Sequence, residues 1–418
     1  MTSVQSLAEL SALIRQARQA AQALGQMGQT NKVLRLASQA FRDASDTILE
    51  ANTLDLEASL EMAVPELVVE WLKLTPERLN TAITILERLS QLDSVTSFAY
   101  GAQLAIAPTA HSYLLGEPLG IIAFVYEAFP ELAMIVAGLS LRAGNALILK
   151  GGHEASQTNQ VIADIFQSVL AQVDMPEQVI VSISPNEGEA ARRWLMQTTE
   201  LDLLIPYGRA SLVQQMVREA NSPSLATAIG NCYLYWAHTA PAEVVAKIVT
   251  ASHQGNPEPV NGIEKILVDE KVPAMAWREL EHLLEDSNLT IREVAAPVLL
   301  PEAHAAEDAL WQEAQLKRTI LAARVPHLSD AIALMNRYSS GHADCIVTNS
   351  YQESMQFASQ VRSASIYVNA SPRFQRNASQ TSAIALGMSS QRGLKGGRIT
   401  LETLLTHKAV VTGCLGMP

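Results

Sequence analysis

GIIAFVYEAFPELAMIVAGLSLRAGNALILKGG, residues 120–152, decides the fold. Its two ends, GIIAFVY and ALILKGG, are short apolar runs without polar alternation, so each reads as a strand covered on both faces. Between them Pro130 can open a helix at its first position, where a missing N–H costs nothing, and Gly144 can close it past the end. Strand, helix and strand in this order make a crossover unit, and a crossover unit implies a parallel sheet.

The alternation continues downstream. A helix is predicted from about Ser156 to Ala171, then a strand over QVIVSIS, a helix from about Glu187 to Met196, a strand over DLLIPYG and a helix over SLVQQMVREA. A second α/β unit starts near NCYLYW (231–236). It runs through KILV, a helix over AMAWRELEHLLED, RTILAARV, a helix over LSDAIALMNRYS, CIVT and ASIYVN. The fold class is therefore α/β, with two doubly wound units, and ligands are expected beyond the C-terminal ends of the first sheet's strands.

Upstream, Ser6 to about Leu92 is rich in Ala, Gln, Leu and Glu with apolar residues at helical spacing, and predicts several amphipathic helices and no strand. Residues 97–120 alternate and carry turn residues, as in a hairpin or long β-arm. The tail ITLETLLTHKAVVTG is apolar and β-capable, and an exposed edge of that kind is expected to pair with another part of the assembly.

The chain has 418 residues, too many for one ordinary core. Its net charge of −12 argues against nucleic acid as a partner, because phosphate neutralisation needs clustered Lys and Arg. Glu127, Pro130, Glu131, Arg142 and Gly144 interrupt the most apolar region, so no membrane span is expected. The polar, helical start predicts no signal peptide. Three dispersed cysteines, Cys232, Cys345 and Cys414, fit a reducing cytoplasm and exclude a disulfide framework. Nine histidines form no HExxH or HxxxH pair, so no metal site is expected.

Candidate chemistry lies where strands end. Lys150-Gly151-Gly152 puts a cation and two small residues before a helix, which suits a phosphate or ribose, or equally a plain strand-to-helix turn; no GxGxxG is present. Pro206-Tyr207-Gly208-Arg209 falls on the same rim, with Arg209 either reaching an anion or, the favoured reading, solvated. His342-Ala343-Asp344 could do acid–base work but reads better as a local turn contact. Cys232 reads as a buried small hydrophobe. The loop QGNPEPVNG (254–262) sits at the mouth of a strand, a usual place for a nucleophile, yet it holds no Cys, Ser, Thr or Lys.

At the crossover unit and at YVNASPRF (367–374) the chain resembles the γ-glutamyl phosphate reductase family, a branch of the aldehyde dehydrogenase superfamily. EPLGIIAFVYEAFPE, AGNALILKGGHEASQTN, DLLIPYG, GNCYLY, NGIEKILV, DAIALMNRYSSGHADCIVT and YVNASPRF carry the resemblance together, in order, over essentially the whole chain. It implies a cofactor domain (1–96 with 115–230), a catalytic domain (231–394), and an oligomerisation element of arm and tail (97–114 with 395–418). The implied reaction is NADPH-dependent reduction of L-glutamyl 5-phosphate to L-glutamate 5-semialdehyde and phosphate. In it a Cys displaces phosphate, and the resulting thioester takes hydride.

By that resemblance, Tyr126, Lys150, Gly151, Gly152, Glu154, Asn159, Pro206, Gly208, Asn231, Asn261 and Arg373 keep the family's residues. Lys150, Gly151, Gly152, Glu154, Pro206, Gly208 and Arg209 fall on the NADPH side, and Tyr126, Asn231 and Arg373 on the substrate side. The nucleophile position falls on Val260, beside Asn261, and an isopropyl group cannot form a thioester. Phe129, Glu131 and Ala385 stand where the family has Arg, Asn and Glu, and Arg209 replaces a glycine of the nucleotide-side turn. The expectation is a family member whose reaction is absent or very weak. The alternatives are a relocated nucleophile at Cys232 and a non-catalytic subunit that co-assembles with an active relative. A homo-oligomer (dimer or tetramer) is the expected assembly.

Overall fold

The structure is a computed structural model and describes residues 7–27, 29–92, 110–184, 188–255, 258–296, 305–378, 383–391 and 396–413. Residues 97–109 of the expected arm, Asn256 and Pro257 of the QGNPEPVNG loop, and Cys414 lie outside them.

Five helices come first: α1 (Leu7–Met27), α2 (Thr30–Asp43), α3 (Ser45–Glu61), α4 (Glu66–Leu72) and α5 (Pro76–Gln91). Strand β1 (Ala110–Pro118) follows, then the first parallel sheet: β2 (Ile121–Tyr126), α6 (Pro130–Ala143), β3 (Ala146–Gly151), α7 (Ser156–Gln172), β4 (Ile180–Ser182), α8 (Gly188–Gln197), β5 (Leu203–Tyr207) and α9 (Ala210–Glu219). Its strand order is β4-β3-β2-β5, all parallel. The crossover ends as its residues dictate. Pro130 opens α6, and Gly144 at φ 84 turns the chain left-handed, with the Asn145 amide donating to Ser140 O at 2.8 Å.

Every residue of β2 is buried because alternate side chains enter different cores. Ile122, Phe124 and Tyr126 join the cluster built with the N-terminal helices, α6 and α7, while Ile121, Ala123 and Val125 join the one built with α1, α8 and α9. A strand in this position cannot show polar alternation.

The second sheet comprises β7 (Cys232–Trp236), β8 (Ile263–Asp269), β9 (Thr290–Glu293), β10 (Thr319–Val325), β11 (Asp344–Val347) and β12 (Ile366–Val368), in the order β12-β11-β7-β8-β10-β9, also parallel. Helices α10 (Ala242–Ser252), α11 (Ala274–Glu285), α12 (Ala305–Gln312), α13 (Leu328–Tyr338) and α14 (Tyr351–Gln360) accompany it, its two faces feeding separate cores. β6 (Thr227–Ala228), β13 (Gly387–Ser389) and β14 (Gly397–Ile399) form a small antiparallel sheet between the two units. The tail strand β15 (Leu405–Gly413) pairs with β1 over its whole length, Ala110 opposite Gly413 and Pro118 opposite Leu405. One edge of the tail is thus paired with the chain's own arm, and among the described residues the ribbon has no third strand.

Candidate functional site

In the first sheet the chain order reverses between β2 and β5, so their C-terminal ends form the switch point where a doubly wound sheet opens a crevice. A cavity of about 190 Å³ lies there and along the end of β3, lined among others by Tyr126, Glu127, Lys150, Gly151, Gly152, Glu154 and Arg192. Lys150 donates to Gly151 O at 2.9 Å. Glu154 accepts the Ala128 amide at 2.6 Å, and a Cβ on Gly152 would stand 2.0 Å from that carboxylate, so a side chain there would displace it. Asn159 accepts the Tyr126 hydroxyl at 2.9 Å, while its buried Nδ2, beside Gly151, has no protein partner.

The crevice itself is bridged. Arg209, the first residue after the β5 turn, grips Glu127, the first residue after β2, at 2.7 Å through its terminal nitrogen, and its own amide adds a bond of 2.9 Å. Arg209 is thus exposed, as the favoured reading has it, with its guanidinium paired to Glu127. Gly208 has φ 146, and a Cβ there would come 2.8 Å from Glu127. Pro206 fits because β5 is an edge strand; its carbonyl accepts the Thr227 hydroxyl at 2.6 Å.

Beyond the switch point the loop before α6 is held in an unusual shape. Ala128 and Phe129 both have positive φ, 49° and 41°, a cost of order 1–3 kcal/mol each that the surroundings must offset. The Phe129 ring does so in part, stacking on Trp71 at 4.7 Å and meeting Tyr207 edge-on at 5.4 Å. Glu131 pairs with Arg78 at 2.6 Å, both buried. Tyr207 reaches across to the second unit, where its hydroxyl donates to Glu258 at 3.1 Å and accepts from Arg376 at 3.0 Å; Arg376 also donates to Glu258 at 2.5 Å. Burial pushes the Tyr126, Tyr207 and Glu258 protons to higher pH.

Val260, two residues after Glu258, is 1% exposed and packs with Cys232, Ala343, Phe374, Ala385 and Met388. Its carbonyl lies 2.9 Å from His342 Nε2, and the Cys232 Sγ lies 3.3 Å from the same nitrogen. A proton on Nε2 satisfies the Val260 carbonyl, and Nδ1 lies 2.9 Å from the Ser340 hydroxyl, which also faces Gly230 O at 2.9 Å. Burial drives the His342 pKa down to about 4 and pushes the Cys232 thiol well up, so this pair rests as imidazole and thiol. Asp344 takes no part. It accepts from the Tyr233 amide at 2.7 Å, Ser339 at 2.7 Å and Ser363, and burial raises it to about 6.

The candidate residues do not all converge. Asn261 is buried and donates to Pro372 O at 2.8 Å, with its Oδ1 left without a protein partner. Asn231, at φ 54, spends its amide on the Gln312 and Tyr338 carbonyls at 2.8 and 2.9 Å, an anchoring role. Arg373 is exposed. Sequence reasoning missed Glu258, Arg376 and Arg78. One signal for Glu258 existed: it is the one ionisable residue in QGNPEPVNG, among Pro, Gly and apolar neighbours.

No protein-family model matches the chain. It is 40% identical over 387 residues to γ-glutamyl phosphate reductase 2 of Synechocystis sp., with 91% of each sequence covered. Its structure superposes on that of γ-glutamyl phosphate reductase from Thermotoga maritima with a TM-score of 0.85 at 26% identity, covering 98% of this chain and 99% of the other. An engineered glycolyl-CoA reductase solved with bound NADP+ shares the fold at a TM-score of 0.68 and 13% identity, covering 98% and 97%. Two parallel sheets with a small antiparallel one, and this degree of identity along nine-tenths of the sequence, place the chain in the γ-glutamyl phosphate reductase family.

Proposed function

We propose that this chain keeps a nucleotide pocket and has lost the covalent step of its family, so that reduction of L-glutamyl 5-phosphate is absent or very weak. The observation that carries the reading is Val260, 1% exposed inside an apolar cluster at the position the resemblance gives to the nucleophile. Loss of a catalytic nucleophile costs on the order of a million-fold in covalent enzymes. Cys232 is a poor substitute, being fully buried with its thiol held protonated.

Lys150, the Gly151-Gly152 turn and Arg192 fit the phosphate and ribose portion of NADPH at the β2–β3 end of the cavity. Bound there, NADPH would supply hydride. The fit stops at β5: a cavity of about 190 Å³ is smaller than the roughly 300–1,000 Å³ of ordinary ligand sites, and the Glu127–Arg209 bridge with Phe129 and Tyr207 closes the way onward. Gln- or Gly-type residues at 127 and 209 would leave that path open.

The proposed division is a cofactor-type domain over 1–96 and 115–230, a catalytic-type domain over 231–394, and an assembly element of 97–114 and 395–418, in the cytoplasm. Among the described residues no helix is long and apolar enough to cross a membrane. A second reading, a non-catalytic subunit in a homo-oligomer or beside an active relative, is favoured by the β1–β15 ribbon, which exposes Tyr113 and Val411.

The deciding experiment is the reverse reaction, with glutamate semialdehyde, phosphate and NADP followed by NADPH absorbance, run on wild type, Val260→Cys and Cys232→Ala. Expected are no wild-type turnover and a retained NADPH fluorescence titration. Robust wild-type turnover that disappears in Cys232→Ala would overturn the reading.

A further inference from the structure

Glu258 is 4% exposed, and its two carboxylate oxygens are treated unequally. Oε1 receives Arg376 at 2.5 Å and Tyr207 at 3.1 Å, whereas Oε2 is buried with no partner among the described residues. A buried carboxylate oxygen without a donor is costly, and packing alone would favour an apolar side chain here. The three residues come from both units: Tyr207 ends β5 of the first sheet, Glu258 precedes β8 of the second, and Arg376 lies beyond β12. A second guanidinium–carboxylate pair, Arg78 with Glu131, is close enough to act on Glu258 electrostatically.

A guanidinium beside a phenol hydroxyl is a carboxylate-recognition arrangement, and here the carboxylate belongs to the chain. It arrives on a glutamyl side chain two residues from Val260. We propose that Glu258 is a built-in carboxylate ligand: from within the chain it fills a site for small carboxylates made by Arg376 and Tyr207, and so holds the cleft between the two parallel sheets shut. The class of free ligand that fits is a short side-chain carboxylate, with acetate as its minimal form and glutamate as the full-length one. Insertion of the loop's own carboxylate leaves that ligand no vacancy in the native protein. This assignment rests on the reading of the region as the family's substrate cleft, but it predicts binding rather than turnover.

The test is a thermal melt of wild type and Glu258→Ala with increasing sodium acetate or L-glutamate, against sodium chloride at equal ionic strength. Removing Glu258 strands the Arg376 guanidinium, so the variant is expected to melt lower and to recover by several degrees, saturably, with either carboxylate. Wild type should respond to carboxylate no more than to chloride. The rescue should vanish in Glu258→Ala/Arg376→Met. Equal carboxylate responses in wild type and Glu258→Ala, or a rescue that survives loss of Arg376, would overturn the proposal. If Glu258→Ala is insoluble, refolding yield replaces the melt: recovery with acetate but not chloride supports the assignment, and recovery with neither refutes it. Turnover in the reverse reaction is read separately, so failure of the pseudoenzyme reading and failure of this one are distinct results.

Discussion

Arg78 and Glu131 lie 2.6 Å apart with side chains 6% and 5% exposed, tying α5 to the first turn of α6. Arg78 also donates to Trp71 O at 3.0 Å and to Lys73 O, so one guanidinium fixes α4, the α4–α5 turn and α6 together. The Phe129 ring stacks on Trp71 in the same place. The strained Ala128–Phe129 loop is therefore over-determined by an ion pair on one side and an aromatic stack on the other.

Breaking that pair from one side should be expensive. Glu131→Asn leaves a buried guanidinium without its counter-charge and is expected to cost about 3–5 kcal/mol. The double variant Arg78→Met/Glu131→Leu removes both charges and should recover most of the loss. Thermal melts of Arg78→Met, Glu131→Leu and the double close the cycle. A loss below about 1 kcal/mol in Glu131→Asn, the range of an exposed pair, would show that the loop is held by packing alone.

The Glu127–Arg209 bridge makes a prediction about nucleotide affinity. Glu127→Gln removes a carboxylate from the cavity wall and releases the Arg209 cation toward a phosphate. NADPH should then bind about tenfold tighter by fluorescence titration, a gain of roughly 1.4 kcal/mol. Lys150→Met should weaken binding by a similar factor or more. Unchanged affinity in both variants would mean that the nucleotide does not use this end of the sheet.

Strands and helices were legible wherever one residue type decided the local geometry. Pro130 and Gly144 bounded α6, and continuous apolar runs marked β2, β3, β5 and β8, because strands buried on both faces have no polar side to show. α10, α12, α14 and β9 went unread, as did the small strands β6, β13 and β14. β9 is a short, largely exposed strand whose polar residues follow their position at the sheet edge, so its pattern carries little signal. The rim residues Lys150, Gly151, Gly152 and Glu154 were placed together because they are contiguous or nearly so. Glu258, Arg376 and Tyr207 meet only through tertiary structure, with 169 positions of chain between Tyr207 and Arg376. No local pattern can report a contact of that kind.

Thiol chemistry checks the buried cluster. Cys232 and Cys345 are both fully buried, and burial pushes both thiols well above the ordinary range. At mildly alkaline pH neither should react with an aromatic disulfide reagent in the native protein, and both should react at once in denaturant, as peptide mass spectrometry would read. Rapid native labelling of Cys232 would show that the cluster around Val260 opens, and would revive Cys232 as a nucleophile.

His342 and Asp344 are two residues apart and bias stability in opposite directions. Burial lowers His342 from 6.5 to about 4, so its contribution is complete above pH 6.5 and is lost as pH falls through 4. Burial raises Asp344 from 3.8 to about 6, so its contribution is complete below pH 3.8 and is lost as pH rises through 6. Between about pH 4 and 6 the folded protein lacks one proton at His342 that the unfolded chain holds, and holds one at Asp344 that the unfolded chain lacks. The two slopes nearly cancel. His342→Gln removes the acid penalty, so its melting temperature relative to wild type should rise as pH falls from 7 to 4.5. Asp344→Asn should show the reverse trend, falling relative to wild type over the same interval. Each full effect is on the order of 3 kcal/mol at one pKa unit per 1.36 kcal/mol. Parallel pH profiles for wild type and both variants would show that neither group is held away from its ordinary titration by the fold.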